Sequence, residues 1–319
     1  MRNRRALFKR ITAAALGLTV ACSAGAFAAK NTEQSINLNL GLYTSSKPSA
    51  MVTQFRPIVT QLERSMSNKL GKTVRIRMQI AKTYKQGIEH LTAGKVDFAR
   101  FGSAPYVEAK TENPGLQIIA LESKNRTKIV HGIIATSLHS SIRTLADLKG
   151  KSFAFGDEQS TSGRFMSQQF LLKNGIRAKD LSRYEYLGRH DIVGTKVGSG
   201  DFAAGAMSET TFRNLLADGE KIRELARFPI VTKPWIARSG IDENIFRALK
   251  RSLLEMRDAN ALKSIGVNGF VNGSNDDYKV IADSMNRNHE FFIGDRRENV
   301  EWVLATKKNK KKTVATVEE

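Results

Sequence analysis

Three hydroxyl side chains stand together at Ser160-Thr161-Ser162, and Gly163 follows at once. Before them lie a short apolar run, Phe153-Ala154-Phe155, and a polar turn, Gly156-Asp157-Glu158-Gln159. Behind them Phe165, Met166, Phe170 and Leu171 recur at helical spacing, so the segment reads as strand, turn and helix start. Hydroxyls at a helix start satisfy its unpaired N–H groups, and the same N–H groups, with the helix dipole, attract an anion. Gly163 would let a ligand approach the backbone closely. The chemistry on offer is reversible capture of an oxyanion by neutral donors. A plain helix cap is the alternative that the triplet alone leaves open.

Other elements must bring a second wall to this turn. Ile36 to Leu42 alternates as a strand, and Met51 to Leu70 is an amphipathic helix stopped by Gly71. Val74 to Ile80 alternates again, Thr83-Tyr84 opens a helix, and Val96 to Phe101 is a third strand ending at Gly102-Ser103. A helix through Tyr106 to Lys110 and a strand from Leu116 to Leu121 follow. The pattern resumes with strands at Ile129 to Thr136, Tyr184 to Leu187, Phe202 to Met207 and Ile222 to Phe228. Helices are read from Ile192, Phe212, Ile245 and Tyr278, and Ile230 to Ile236 returns toward the first half. Repeated strand–helix alternation predicts α/β lobes with mostly parallel, doubly wound sheets, whose ligands sit beyond the carboxyl ends of the strands. Tyr43, Tyr84, Phe101, His190 and Glu209 all fall at or just past such ends.

A chain of 319 residues suits two lobes, and its formal charge of +20 favours anionic partners. The charge concentrates in the first ten residues and in the lysine run at 307–312, within a tail (296–319) expected to be mobile. The N-terminus reads as an export signal over residues 1–28: a basic start, an apolar run from Ile11 to Val20, then Ala26-Phe27-Ala28, with cleavage expected after Ala28. The single cysteine, Cys22, follows Ala21 in a lipoprotein-like pair, although Thr19 stands where such signals usually carry Leu or Val; lipid anchoring is the alternative to simple cleavage. Cleavage after Ala28 leaves no cysteine, which excludes disulfides and thiolate chemistry, and export argues against a nucleic-acid partner.

Rival motifs fail. Gly150-Lys151-Ser152 lacks the glycine five places earlier that a nucleotide loop needs, and the five histidines show no metal-ligand spacing, so neither cofactor nor metal is expected. Ser160 lacks the Gly-x-Ser-x-Gly elbow of a hydrolase, although His190 and Asp191 could complete a triad on paper.

Five collinear segments then resemble one family. They are G-L-Y-T-S-S-K-P at 41–48, K-V-D-F-A-R-F-G-S-A-P-Y-V-E-A at 95–109, L-A-D-L-K-G-K-S-F-A-F-G-D-E-Q-S-T-S-G at 145–163, L-G-R-H at 187–190 and A-A-G-A-M-S-E at 203–209. The chain resembles the periplasmic solute-binding proteins of phosphonate, phosphite and phosphate ABC transporters, of the two-lobed type II binding-protein fold. The resemblance implies a monomer with a ligand cleft between lobes, one formed by 36–127 and the return segment 233–295, the other by 128–232. It implies a non-enzymatic protein that delivers a small phosphorus oxyanion to a membrane permease. Ser160, Thr161, Ser162 and His190 match its anion-binding donors, and Tyr43 and Tyr84 match positions that close over the ligand. Phe101 stands where some members carry a binding tyrosine. Glu209 matches an acid that can hold the ammonium of an aminophosphonate, while Ile230-Val231-Thr232-Lys233-Pro234 lacks the aspartate that some members place in the return segment. A sensory partner of a membrane protein, or an exported phosphoester-acting enzyme, are the alternative functions.

Overall fold

The computed structural model describes residues 35–295; the expected signal segment with Cys22 and the lysine-rich tail lie outside the described residues. Local chemistry sets the first boundaries. The alternating run becomes β1 (Ile36–Tyr43), followed by α1 (Pro48–Leu70). Pro48 sits in the first turn of α1, where its missing N–H costs nothing, and Gly71 ends the helix in the left-handed conformation at φ 62°. Met51, Phe55, Ile58, Val59, Leu62 and Met66 form its buried stripe. Then come β2 (Val74–Ala81), α2 (Tyr84–Thr92), β3 (Phe98–Arg100), α3 (Ser103–Glu112) and β4 (Gln117–Ser123).

The chain crosses to a second sheet through β5 (Ile129–Ser137), β6 (Ser152–Phe155), α4 (Met166–Lys173), β7 (Arg183–Tyr186), α5 (His190–Gly198), β8 (Ala204–Ser208), α6 (Glu209–Ala217) and β9 (Ile222–Val231). It returns through β10 (Pro234–Ala237), α7 (Glu243–Leu254), α8 (Ala259–Ser264), β11 (Gly269–Val271) and α9 (Lys279–Asn286).

The first sheet has the order β11-β4-β10-β3-β1-β2 and the second β7-β6-β8-β5-β9. In the first, β1 to β4 run one way and the returning β10 and β11 oppose them. In the second only β5 opposes the rest. The lobes are therefore α/β with mixed sheets in which most strands share a direction, and their strand ends gather at one edge. Leu40, Phe98, Trp235 and Leu249 fill one core, and Ile133, Ala154, Val193 and Met207 another. A third cluster is continuous between the lobes and contains Tyr43, Tyr84, Phe101, Phe153, Phe155 and Phe291. Each aromatic ring buried there contributes about 1.5–3 kcal/mol relative to exposure.

Two crossings join the sheets. One is the turn at Asn125 and Arg126, both with positive φ (54° and 61°). The other is Thr232-Lys233, within the expected return segment Ile230 to Ile236, which is divided between β9 and β10. Hydrogen bonds pin both: Thr232 N–H donates to the Lys128 carbonyl (2.8 Å), and Glu122 N–H to that of Lys233 (3.1 Å). Beyond β11 the chain leans on the second sheet's helices, where the Asn288 amide donates to Gln168 Oε1 at 2.7 Å. Two expectations change. The helix read from Ile192 starts at His190, and α8 and β11 were not read from the sequence.

Candidate functional site

Past β6 the chain makes a wide π-type turn over Thr161–Phe165 and runs on into α4. Ser160 caps this start, its Oγ accepting the Gly163 N–H at 2.9 Å. A side chain at Gly163 would place Cβ 2.8 Å from Ser160 Oγ and 2.9 Å from Gly156 Cα, so glycine is required for the turn to close. His190 opens α5 and packs on Gly156. Its Nε2 lies 2.9 Å from Ser160 Oγ, and its Nδ1 accepts the Ser208 N–H at 3.3 Å.

Burial, with some help from the Lys233 charge and against that of Asp191, pushes the His190 pKa down to about 4. A neutral ring that accepts at Nδ1 carries its proton on Nε2 and donates to Ser160. Ser160 Oγ thus accepts two hydrogen bonds, and its own hydrogen is left for Tyr84. This arrangement does not suit a nucleophile, because the imidazole offers Ser160 a proton rather than taking one. Asp191 does not complete a triad either; it pairs with Arg189 at 2.7 Å.

The first lobe supplies a facing wall. Tyr43 at the end of β1 and Tyr84 at the start of α2 stack with ring centroids 3.8 Å apart, and Phe101 stands 5.4 Å from Tyr43. The Tyr43 hydroxyl accepts the Gly102 N–H, and Tyr84 reaches the Ser160 hydroxyl. Burial raises both phenol pKa values far above the ordinary range, so both stay protonated. Gly102 is where the walls meet: a Cβ there would lie 3.0 Å from both Thr161 Oγ1 and Tyr43 Oη. Ala104 N–H donates to Thr161 Oγ1 at 2.8 Å and His190 N–H to the Ser45 carbonyl at 3.3 Å, so the lobes are closed on each other.

Beside this contact lies a cavity of about 50 Å³. A water needs about 10–15 Å³ of such space, which makes the cavity a few waters large and suited to a small ligand. Three helix beginnings line it: Gly102 and Ser103 at the start of α3, Thr161 and Ser162 in the π-type turn that leads into α4, and Ser208, Glu209 and Thr210 at the start of α6. Each is the positive end of a helix dipole, and they come from both lobes.

The wall at the crossing is charged. Arg100 holds Glu122 in two bonds of 2.7 and 3.1 Å, and Trp235 Nε1 donates to the same carboxylate at 3.2 Å. Glu209 is engaged by Lys124 (3.3 Å) and Arg213 (2.6 Å). Burial works against its charge, but these two cations outweigh it and hold the carboxyl below its ordinary pKa. Lys233 also lines the cavity, and among the described residues it has no ion-pair partner.

The expected residues therefore divide. Thr161, Ser162 and Glu209 face the cavity, whereas Ser160, His190, Tyr43, Tyr84 and Phe101 form the buried cluster adjoining it. Sequence reasoning missed Arg100, Glu122, Thr232 and Lys233 as parts of the wall. The polar pair Thr232-Lys233, set between apolar Ile230-Val231 and Pro234-Trp235-Ile236, was the one available signal.

Comparison with known proteins gives a consistent result. A family model described as the periplasmic substrate-binding protein of a phosphonate ABC transporter matches residues 40–278. A probable ABC transporter phosphite-binding protein, PhnD1 of Prochlorococcus marinus, is 26% identical over 227 residues, 66% of this chain and 76% of that protein. The phosphate-import protein PhnD of Mycolicibacterium smegmatis is 25% identical over 192 residues, 57% of this chain and 58% of its own length. The structure of PhnD1 in complex with methylphosphonate superposes with a TM-score of 0.69 at 22% identity, covering 79% of this chain and 97% of that one. A binding-protein component of a Pseudomonas aeruginosa phosphonate transporter also gives 0.69, at 18% identity, over 89% and 96% of the two chains.

Proposed function

The chain belongs to the periplasmic substrate-binding proteins of phosphonate ABC transporters, and from that premise we propose that its interlobe cavity captures a small phosphorus oxyanion of the phosphonate, phosphite or phosphate type. It is a transport component rather than an enzyme, its place is the periplasm, and it works with an ABC transporter.

One observation carries the ligand assignment: three helix beginnings from two lobes converge on a single small cavity. A tetrahedral oxyanion offers several acceptor oxygens, and neutral hydroxyl and N–H donors satisfy them without a fixed counter-ion at each oxygen. On this reading Thr161 and Ser162 meet the anion at the cavity face. Ser160, fixed by the His190 proton, holds the turn that presents them, and Tyr43 and Tyr84 close over it with Phe101 as apolar packing. The lobes are taken as 36–127 with 233–295, and 128–232, moving about the two crossings. The bonds that now join the lobes directly, such as Ala104 to Thr161, are those that closure makes on a ligand's account. We take the protein to be a monomer exported by residues 1–28, which a permease recognises in its closed form.

The test is the thermal midpoint of the purified protein against phosphate, phosphite, methylphosphonate, 2-aminoethylphosphonate and sulfate. A ligand that binds only the native state raises that midpoint with its concentration. A large rise with one or more phosphorus oxyanions, lost in Ser162→Ala and Ser160→Ala, is expected. No rise with any of them would overturn the assignment.

A further inference from the structure

The cavity has a polar end that the hydroxyl turn does not account for. Thr232 and Lys233 join β9 to β10 at the crossing between the lobes, and both line the cavity. The Thr232 side chain is fully buried, and its hydroxyl has no hydrogen-bond partner. Leaving a buried hydroxyl unpaired costs about 1–3 kcal/mol, so a partner arriving from the cavity would recover a real loss.

Lys233 is in a similar position. Of the other ionisable groups lining the cavity, Arg100 is paired with Glu122 and Lys124 with Glu209, while His131 lies 4.0 Å from Glu209. Those carboxylates are spoken for. Lys233 is partly buried and has no carboxylate at ion-pair distance among the described residues. Burial and the Arg100 charge push its pKa down to about 7, with Glu122 opposing them. An anion in the cavity would oppose both effects and restore its proton. With Lys233 protonated and the two ion pairs neutral in sum, the lining has an excess of positive charge.

We propose that Thr232 and Lys233 form a second half-site, which accepts negatively charged or hydrogen-bond-accepting atoms of the ligand and rejects phosphonates bearing an ammonium group. The proposal rests on the cleft being the phosphorus-oxyanion site. It also assigns Glu209 differently from the sequence expectation: the carboxylate shields Lys124 and Arg213 rather than receiving a ligand amine.

A size-matched pair tests it. Ethylphosphonate and aminomethylphosphonate have the same number of heavy atoms and differ in a terminal methyl against an ammonium. In calorimetric titrations of the purified protein at pH 6.5, ethylphosphonate should bind roughly a hundredfold more tightly, because like charges brought together in an interface are strongly disfavoured. Lys233→Met should shrink that ratio by about tenfold or more, and Lys233→Arg should keep it. Thr232→Val should weaken both ligands alike, by about three- to tenfold, and leave the ratio unchanged. A ratio near one in the unsubstituted protein, or an unaltered ratio in Lys233→Met, would overturn the half-site while leaving oxyanion capture intact. If the unsubstituted protein binds none of ethylphosphonate, methylphosphonate and phosphite, the underlying reading of the cleft falls, and this proposal with it.

Discussion

The two walls of the cavity solve opposite problems. The second-lobe wall is built from neutral donors within one short stretch, Ser160 to Gly163, backed by His190 thirty residues on. The bonds that shape the turn are local or to the next strand end, and the imidazole is kept uncharged by burial. The wall at the crossing is built from full charges, Arg100, Glu122 and Lys233, drawn from two strands and the linker between lobes. Neutral donors can release an anion as readily as they take it, because no buried ion is left uncompensated when the ligand leaves. Charges cannot do so unless they are paired, which is why Arg100 and Glu122 hold each other and only Lys233 faces the ligand alone. On the proposed reading the donor wall governs whether an oxyanion binds, and the charged wall governs fold stability and which charge the ligand brings.

The largest expected effect separates the walls by what is lost. Glu122→Gln leaves the buried Arg100 guanidinium uncompensated and should cost about 3–5 kcal/mol of stability, measured by urea unfolding. Ser160→Ala should do the reverse. It should weaken oxyanion binding by about 1.5–3 kcal/mol, roughly ten- to a hundredfold by calorimetry, with a smaller change in unfolding from the lost cap. If the two variants lose stability and affinity in equal measure, the division of labour is wrong.

Thr161→Val probes the contact between the walls. It removes the acceptor for the Ala104 N–H at 2.8 Å and should cost about 1 kcal/mol of closure, a few-fold in affinity. Small-angle scattering should show the liganded variant less fully closed than the unsubstituted protein.

A further effect is a pH dependence. His190 has a folded pKa of about 4 against an ordinary value of 6.5, so the unfolded chain binds the proton more readily between those values. Its contribution to stability is complete above pH 6.5 and is lost as pH falls toward 4. His190→Gln should flatten that part of the stability profile, and an unchanged slope would show that the ring is not held neutral in the fold.

How much of this could be read in the chain depended on how local the causes were. β1 and α1 were legible because alternation, Pro48 and Gly71 act within a few residues. The donor wall was legible for the same reason: three hydroxyls and a glycine announce a helix start before any partner is known. Its wide π-type form was not, since Gly163 closes there on Gly156, a residue far enough back that no local pattern announces the contact. The start of α5 was placed two residues late because Gly188-Arg189-His190-Asp191 reads as a loop, whereas Asp191 suits a first helical turn. The charged wall was hidden. Arg100 and Glu122 sit in strands that look ordinary by pattern, and Trp235, 113 residues from Glu122, completes their network only once β10 inserts between β3 and β4. α8 and β11 escaped because short elements carry too few residues for periodicity to show.

A crystal structure of the protein grown with methylphosphonate bears most directly on the account. It predicts a tetrahedral group in the cavity, its oxygens about 2.5–3.2 Å from donors of the Ser160–Ser162 turn and with Lys233 Nζ on the same anion. A ligand bound elsewhere, or one held in the cavity but out of reach of that turn, would contradict the claim that the donor wall captures the oxyanion.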